Sequence, residues 1–343
     1  FGGAVLFFIV GLYRCRRHIG RPLMNKILYF IAALAFCLLR SNALYAFVLV
    51  VLALIIQFRR QMRALAIIPV LALLTAVILK GPVLTLLNVE RTDLIESLSV
   101  PEQQIARYLV DGNPLTADEE ALLSQVIDLD KVSSQYDPGL SDPIKALLRE
   151  KNSDTFIKNN KASFLKLYLD LGLRAPFSYI EAWIDQTKGY WNAGYPYWIT
   201  NSGVVDNEFG IHQTVVVPFL AKLADKISSL MIGRLITSNG LFTWFYILMF
   251  GFAIISRRKT YLEATPPLAI VATLLLATPV YNEFRYVYGL YTALPFVALT
   301  FLMGDRQQLA GVVGAQPPAE ANPLPAQTPP QGADPRLSKS AIN

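Results

Sequence analysis

Charge is scarce in this chain. Asp, Glu, Lys and Arg make up 16% of its 343 residues against 53% apolar, and mean hydropathy is +0.39. An ordinary soluble domain needs more charge than that, so a cytosolic globule is excluded. Histidine is scarcer still: His18 and His212 are the whole supply, which rules out a histidine-rich zinc site. The two cysteines, Cys15 and Cys37, lie in or beside apolar runs, so no disulfide staples the hydrophilic middle of the chain. That middle segment also lacks an Asn-x-Ser/Thr sequon, and a bacterial envelope protein fits better than a glycoprotein of the eukaryotic secretory route. Walker loop, dinucleotide fingerprint, nucleophile elbow and Cys-x-x-Cys pair are all missing. Asp128-Leu-Asp130 has the letters of a metal-binding Asp-x-Asp, but that motif works at the end of a strand, and no strand pattern surrounds it.

What is abundant is apolar sequence. Runs at about 1–13, 25–39, 43–58, 64–87, 237–255, 264–281 and 287–303 read as seven membrane segments. Several fall short of the roughly 20 residues that a perpendicular transmembrane helix needs. The opening FGGAVLFFIVGLY lies inside such a run, with no Met and no basic n-region. The expectation is a C-terminal fragment whose first segment is truncated.

Charge placement sets the expected orientation. Arg14, Arg16, Arg17, Arg21 and Lys26 fill the first turn, Arg59, Arg60 and Arg63 the third, Arg257, Arg258 and Lys259 the one after the fifth segment, and Arg306 follows the last. All four fall on one side if every run spans once, and the positive-inside rule makes that side cytoplasmic. The Arg40-Ser-Asn42 turn, the hydrophilic segment and the Asn-Glu-Phe-Arg turn at 282–285 then lie outside. Residues 90–210 hold 19 acidic and 11 basic residues, while the remainder holds 6 and 20. An acidic outer segment on a basic membrane base excludes nucleic acid as a partner.

The fold expected is an all-α polytopic membrane protein with about seven transmembrane helices. Its parts are four helices in 1–87, an extracytoplasmic helical domain at 88–210, an interfacial amphipathic helix at 211–236, three helices in 237–304, and a disordered Pro-rich cytoplasmic tail at 305–343. Within the outer domain, Ser99-Val-Pro-Glu102 and Thr116-Ala-Asp-Glu119 have the form of capping boxes. Ser141-Asp-Pro143 starts another helix, 155–171 runs to a stop at Gly172, and Pro176 opens one that stops at Gly189. An irregular aromatic loop follows at 189–210.

The charged turns supply the candidate site. Arg is disfavoured outside the membrane, so Arg40 and Arg285, one in each outer turn, need a reason. Two guanidinium forks suit phosphate oxygens, with Glu283 orienting Arg285 and with Tyr286 and Asn42 in support. The plainer reading is a set of charges at the water interface. Gln103 and Arg107 share a helix face and are candidate outer-domain contacts, although a solvated or domain-packing face is the plainer reading, and Trp191 in the aromatic stretch 179–198 is a further candidate, open between packing and sugar stacking. Trp183 reads as packing, whereas Tyr195, Tyr197 and Trp198 stay open between packing and sugar stacking.

LLRSNALYAF at 38–47, SVPEQQIARYLVDG at 99–112, SDPIKALL at 141–148, YIEAWIDQTKGYW at 179–191 and EFRYVYGLYTALPF at 283–296 together resemble an uncharacterised family of bacterial polytopic membrane proteins. That family is similar to the GT-C class of membrane glycosyltransferases. The resemblance implies transfer of a sugar from a polyprenyl-phosphate donor to a cell-envelope glycan at the outer face of the cytoplasmic membrane. It implies an acidic catalytic residue on the first outer loop, which would precede residue 1, so no catalytic residue is assigned. Lipid-linked donor, glycan acceptor and lipid bilayer are the implied partners. No cofactor is expected, and a divalent metal stays open. The alternatives are a transporter or flippase of a lipid-linked precursor and a non-catalytic assembly protein.

Overall fold

The computed structural model describes residues 1–17, 23–57, 63–89, 93–195, 207–211, 217–277 and 280–303. These residues are helical throughout, with no strand among them beyond an isolated bridge between Asp137 and Leu140. Residues 1–302 form one compact unit, and of the remainder only Met303 is described. The tail expected at 305–343 and the aromatic residues Tyr197 and Trp198 lie outside the described residues.

Four helices come first: α1 (Gly2–Arg17), α2 (Leu23–Leu38), α3 (Ala43–Gln57) and α4 (Arg63–Ile78). Helix α4 runs on through a π turn, Leu79–Val83, into the single turn α5 (Leu84–Leu86). Pro82 explains the wide turn, since its ring cannot donate an ordinary helical hydrogen bond, and the Leu84 N–H reaches back to the Leu79 carbonyl. After a 3₁₀ turn at Leu94–Ser97 come α6 (Ser99–Val110), α7 (Ala117–Ser124), α8 (Leu129–Gln135), α9 (Asp142–Glu150), α10 (Ser153–Asn159), α11 (Lys161–Arg174) and α12 (Pro176–Trp191). Helices α13 (Pro218–Ser229), α14 (Met231–Ile236), α15 (Asn239–Ile255), α16 (Tyr261–Leu276) and α17 (Phe284–Met303) complete the set.

Two apolar cores organise these helices. One joins α1–α4 with α15–α17 around Phe8, Phe36 and Phe47, whose ring centroids lie 5.1 to 5.8 Å apart. The other lies within residues 95–179 and is built on Ile105, Tyr108, Leu147, Phe164 and Leu171. Helix α12 belongs to both, with Tyr179 in the second core and Tyr190 in the first. Trp183, between them, donates from Nε1 to the Leu275 carbonyl at 2.7 Å and so packs α12 onto the end of α16.

Two helices are long and apolar enough to cross a membrane: Leu65–Leu86, of 22 residues, and Phe284–Met303, of 20. Four other apolar helices, α2, α3, α15 and α16, have 15 to 17 residues. At about 1.5 Å per residue these reach only roughly 25 Å, less than a hydrocarbon core of about 30 Å. Helix length therefore establishes fewer spans than the seven expected.

The turns between helices sort into two ends. Arg16, at the close of α1, meets Glu263 in the first turn of α16 at 2.7 Å. Arg40, between α2 and α3, donates from Nη1 to the Arg285 carbonyl at 2.5 Å, so the 40–42 and 280–285 turns share a place.

Several local expectations are corrected. Thr116 and Glu119 form their capping box with both bonds present, but Ser99 and Glu102 do not. Leu98 occupies the cap position, the Ser99 hydroxyl donates to the Glu96 carbonyl, and Glu102 turns inward. The helix expected over 155–171 is broken at Asn160, whose φ of −115° and ψ of 32° leave the helical region while its N–H and side-chain amide both donate to the Phe156 carbonyl. Gly172 and Gly189 end no helix: both lie inside one, where a neighbour leaves no room for a Cβ. The single helix expected over 211–236 is two pieces, α13 and α14, bent at Leu230, with 212–216 outside the described residues. Gly233 permits the bend, because a Cβ there would stand 1.7 Å from the Ile227 carbonyl oxygen.

Candidate functional site

The 40–42 turn and the start of α17 converge on Tyr286. This residue is 6% exposed and its ring lies within cation–π distance of two guanidinium groups, with Arg40 4.0 Å and Arg285 5.2 Å from its centroid. Such cation–π contacts hold each charge over an electron-rich face. Arg285 also donates from Nη2 to the Tyr286 hydroxyl at 3.4 Å. Glu283, just ahead of α17, pairs with Arg285 Nε and accepts at its backbone carbonyl from the Tyr286 N–H. A carboxylate at a helix N-terminus is favourable and an arginine there is not, so the pair offsets the misplaced charge.

Lys80 braces the Arg40 turn from α4. The π turn carries its Nζ to 2.9 Å from the Arg40 carbonyl, which ties the 40–42 turn to α4. Two guanidinium groups therefore face one carboxylate, and among the described residues Arg40 has no carboxylate within ion-pairing distance. Burial pulls the Arg40 guanidinium below its ordinary value, a cost that a bound anion would relieve. Asn42 accepts the first backbone bond of α3 from Ala46, yet its side-chain Oδ1 is buried without a partner. Of the five residues expected at the phosphate site, Arg285, Arg40, Tyr286 and Glu283 thus contact one another, and Asn42 lies in the Arg40 turn.

The three outer-domain candidates do not join them, and most of their polar groups bond within the fold, with Gln103 Oε1 left buried without a partner. Gln103 is fully buried and donates to the carbonyls of Asp137 and Leu140 at 2.9 and 2.7 Å. Arg107 is enclosed by Asp111 at 2.7 Å, Asp185 at 3.7 Å and Glu181. Trp191 donates to the Thr187 hydroxyl at 3.2 Å, and its carbonyl accepts from Trp244.

Sequence reading missed Lys80 and Ser141. Lys80 sits at the end of an apolar run and looks like an ordinary helix terminus; Pro82, two residues on, was the available signal. Ser141 looks like a helix cap, but its N–H and its hydroxyl both donate to the Val280 carbonyl at 3.1 Å. That contact pins the 95–191 helices to the 280–285 turn. Among the described residues no three His, Cys, Asp or Glu side chains gather as a metal site.

Fold and cluster together define an all-helical protein with apolar helices of membrane-crossing length and a cationic group at one end of the bundle. The chain belongs to a family of unknown function, DUF6020, whose model matches residues 1–314. No curated protein and no solved structure matches it.

Proposed function

We propose that this is a multi-pass protein of the bacterial cytoplasmic membrane that transfers a sugar from a polyprenyl-phosphate donor to a cell-envelope glycan. The donor phosphate sits against Arg40, Arg285 and Lys80. The observation that carries this reading is the excess of cations at Tyr286, where two guanidinium forks meet one carboxylate. Arg forks match phosphate oxygens in two-pronged geometry, and a lipid phosphate presents that chemistry at a membrane surface. Glu283 is committed to Arg285 and positions the guanidinium. The seven-span arrangement places this cluster outside and residues 88–210 with it, with the Arg-rich turns and the C-terminal tail in the cytoplasm. The Arg16–Glu263 and Arg40–Arg285 contacts support that sorting, since each joins two turns assigned to the same side.

The test is transfer from a labelled polyprenyl-phosphate sugar, read beside a melting curve for each variant. Arg285→Lys keeps the charge but loses the planar fork, so it fails nearly as badly as Arg285→Ala while both stay folded. Wild-type transfer by Arg285→Ala refutes the phosphate site. For sidedness, Gly139→Cys is labelled in intact cells and Ala326→Cys is protected, in a background without Cys15 and Cys37. The reverse pattern inverts the topology.

A further inference from the structure

Beside the cationic cluster lies a group of buried polar side chains that the phosphate reading does not use. Gln186 on α12 is 0% exposed, Asn282 in the turn before α17 is 1% exposed, and Thr243 on α15 is 2% exposed. Both amide atoms of Gln186, both of Asn282 and the Thr243 hydroxyl have no hydrogen-bond partner. Buried amides are nearly always bonded, and each bond left unmade costs stability, so a cluster of orphans calls for an explanation.

They belong to one neighbourhood. The Asn282 amide rests on Gly189, where a Cβ would stand 2.1 Å from its Nδ2. Gln186 is one turn back from Gly189 on the same face of α12. Asn239 donates to the Asn282 carbonyl at 3.3 Å, and Thr243 is one turn further along α15 from Asn239. The Tyr190 hydroxyl holds the Tyr281 carbonyl at 3.0 Å, which fixes the backbone of the same turn. Asn239 makes a useful contrast. It has the same chemistry and the same burial, yet it both donates to Asn282 and accepts from the Tyr291 hydroxyl at 3.0 Å. The bundle bonds the amide that orders the turn and leaves free the two side chains beside it.

We infer that Gln186, Asn282 and Thr243 form a neutral subsite for the hydroxyl groups of the sugar carried by the phosphate. The inference rests on the phosphate reading of the adjacent cluster. None of the three side chains is charged, so they suit neither a cation nor a second anion. Each offers both a donor and an acceptor, which matches neighbouring hydroxyls on a polyol. Position agrees, because Asn282 directly precedes Glu283, and Tyr190 lies within electrostatic reach of Arg40. A phosphate held at Arg40 and Arg285 would direct its glycosyl substituent towards these amides.

The test compares farnesyl phosphate with farnesyl phosphoryl mannose, titrated into the full chain in phosphatidylcholine nanodiscs. Wild-type protein prefers the sugar-bearing ligand by about tenfold, the difference made by one or two net hydrogen bonds. Gln186→Leu and Asn282→Leu abolish the preference, leave farnesyl phosphate affinity unchanged, and melt at the same or a higher temperature, because an unbonded buried amide has been removed. Thr243→Val, the gentlest change, lowers the preference without altering folding. Equal wild-type affinity for the two ligands overturns the subsite and leaves the phosphate reading standing. So does an intact preference in the Leu variants, or a fall in their melting temperature with the preference retained. If wild-type protein binds neither ligand, the phosphate reading falls and the subsite with it.

Discussion

Arg16 and Glu263 meet at 2.7 Å with side chains 11% and 0% exposed, which buries an ion pair where the end of α1 touches the start of α16. Removing one member of such a pair leaves a charge without its partner in a poorly solvated place. Glu263→Ala therefore lowers stability by about 3 kcal/mol, whereas the apolar pair Arg16→Met with Glu263→Leu recovers most of that loss. Thermal melting of the three variants in detergent checks the ordering. A double variant less stable than Glu263→Ala would show that the pair does more than neutralise itself.

Glu102 makes stability depend on pH. Its carboxylate is 3% exposed, has no hydrogen-bond partner and faces a small apolar cavity lined by Ile105, Leu123, Ile144 and Phe164. Burial pushes its pKa from 4.5 to about 8, with Lys145 and Arg149 opposing the rise and Glu96 and Asp93 adding to it. Between those values the folded chain holds a proton that the unfolded chain has lost. The contribution is complete below pH 4.5 and disappears as pH rises towards 8, at up to about 1.4 kcal/mol per pH unit. Glu96 and Glu119 are shifted down instead, Glu119 to about 2, so their contributions are lost on acidification below the ordinary carboxylate range. Melting temperature measured from pH 5 to 8 should fall in the wild type and flatten in Glu102→Gln.

Gly189 and Asn282 occupy each other's space. A Cβ at 189 would stand 2.1 Å from Nδ2 and 2.3 Å from Cγ of Asn282, so Gly189→Ala must displace the turn before α17. Overpacking of this kind costs about 1–3 kcal/mol. Adding Asn282→Gly to Gly189→Ala removes the clash, and a double-mutant cycle on melting data should give a coupling of similar size. Additive losses would mean that the two residues do not touch.

Those two residues also show where sequence reading fails. Glycine near the end of a helical pattern signals a stop, but here it marks a close approach, and only the partner distinguishes the two. The same letters, Ser/Thr-x-x-Glu, give a capping box at Thr116–Glu119 and none at Ser99–Glu102. Glu119 lies beside Arg174 at the surface, while packing rotates Glu102 into the core. What was legible was the apolar framework, whose helices fall where the hydropathy runs do, and the two arginines misplaced in short turns. Sequence could not show that the turns meet, because residues 40 and 285 are joined only by how the helices pack. Nor could it show that a π turn brings Lys80 to the Arg40 carbonyl.

Lys80 gives the sharpest check on the cationic cluster. Its ammonium donates to the Arg40 carbonyl at 2.9 Å, so it could serve merely to brace the 40–42 turn. Lys80→Met keeps the length and helix propensity of the side chain and removes only the charge and the donor. If the charge helps hold a phosphate, farnesyl phosphate affinity falls about fivefold at low salt, the worth of roughly 1 kcal/mol of partly screened attraction. The gap between variant and wild type then narrows at about 0.5 M salt, where screening acts over a few ångströms. A bracing role gives the opposite signature. Melting temperature drops, and whatever affinity is lost is insensitive to salt, because displacing Arg40 changes geometry and leaves the number of charges at the site nearly the same. Titration at two salt concentrations, beside one melting curve, separates the two.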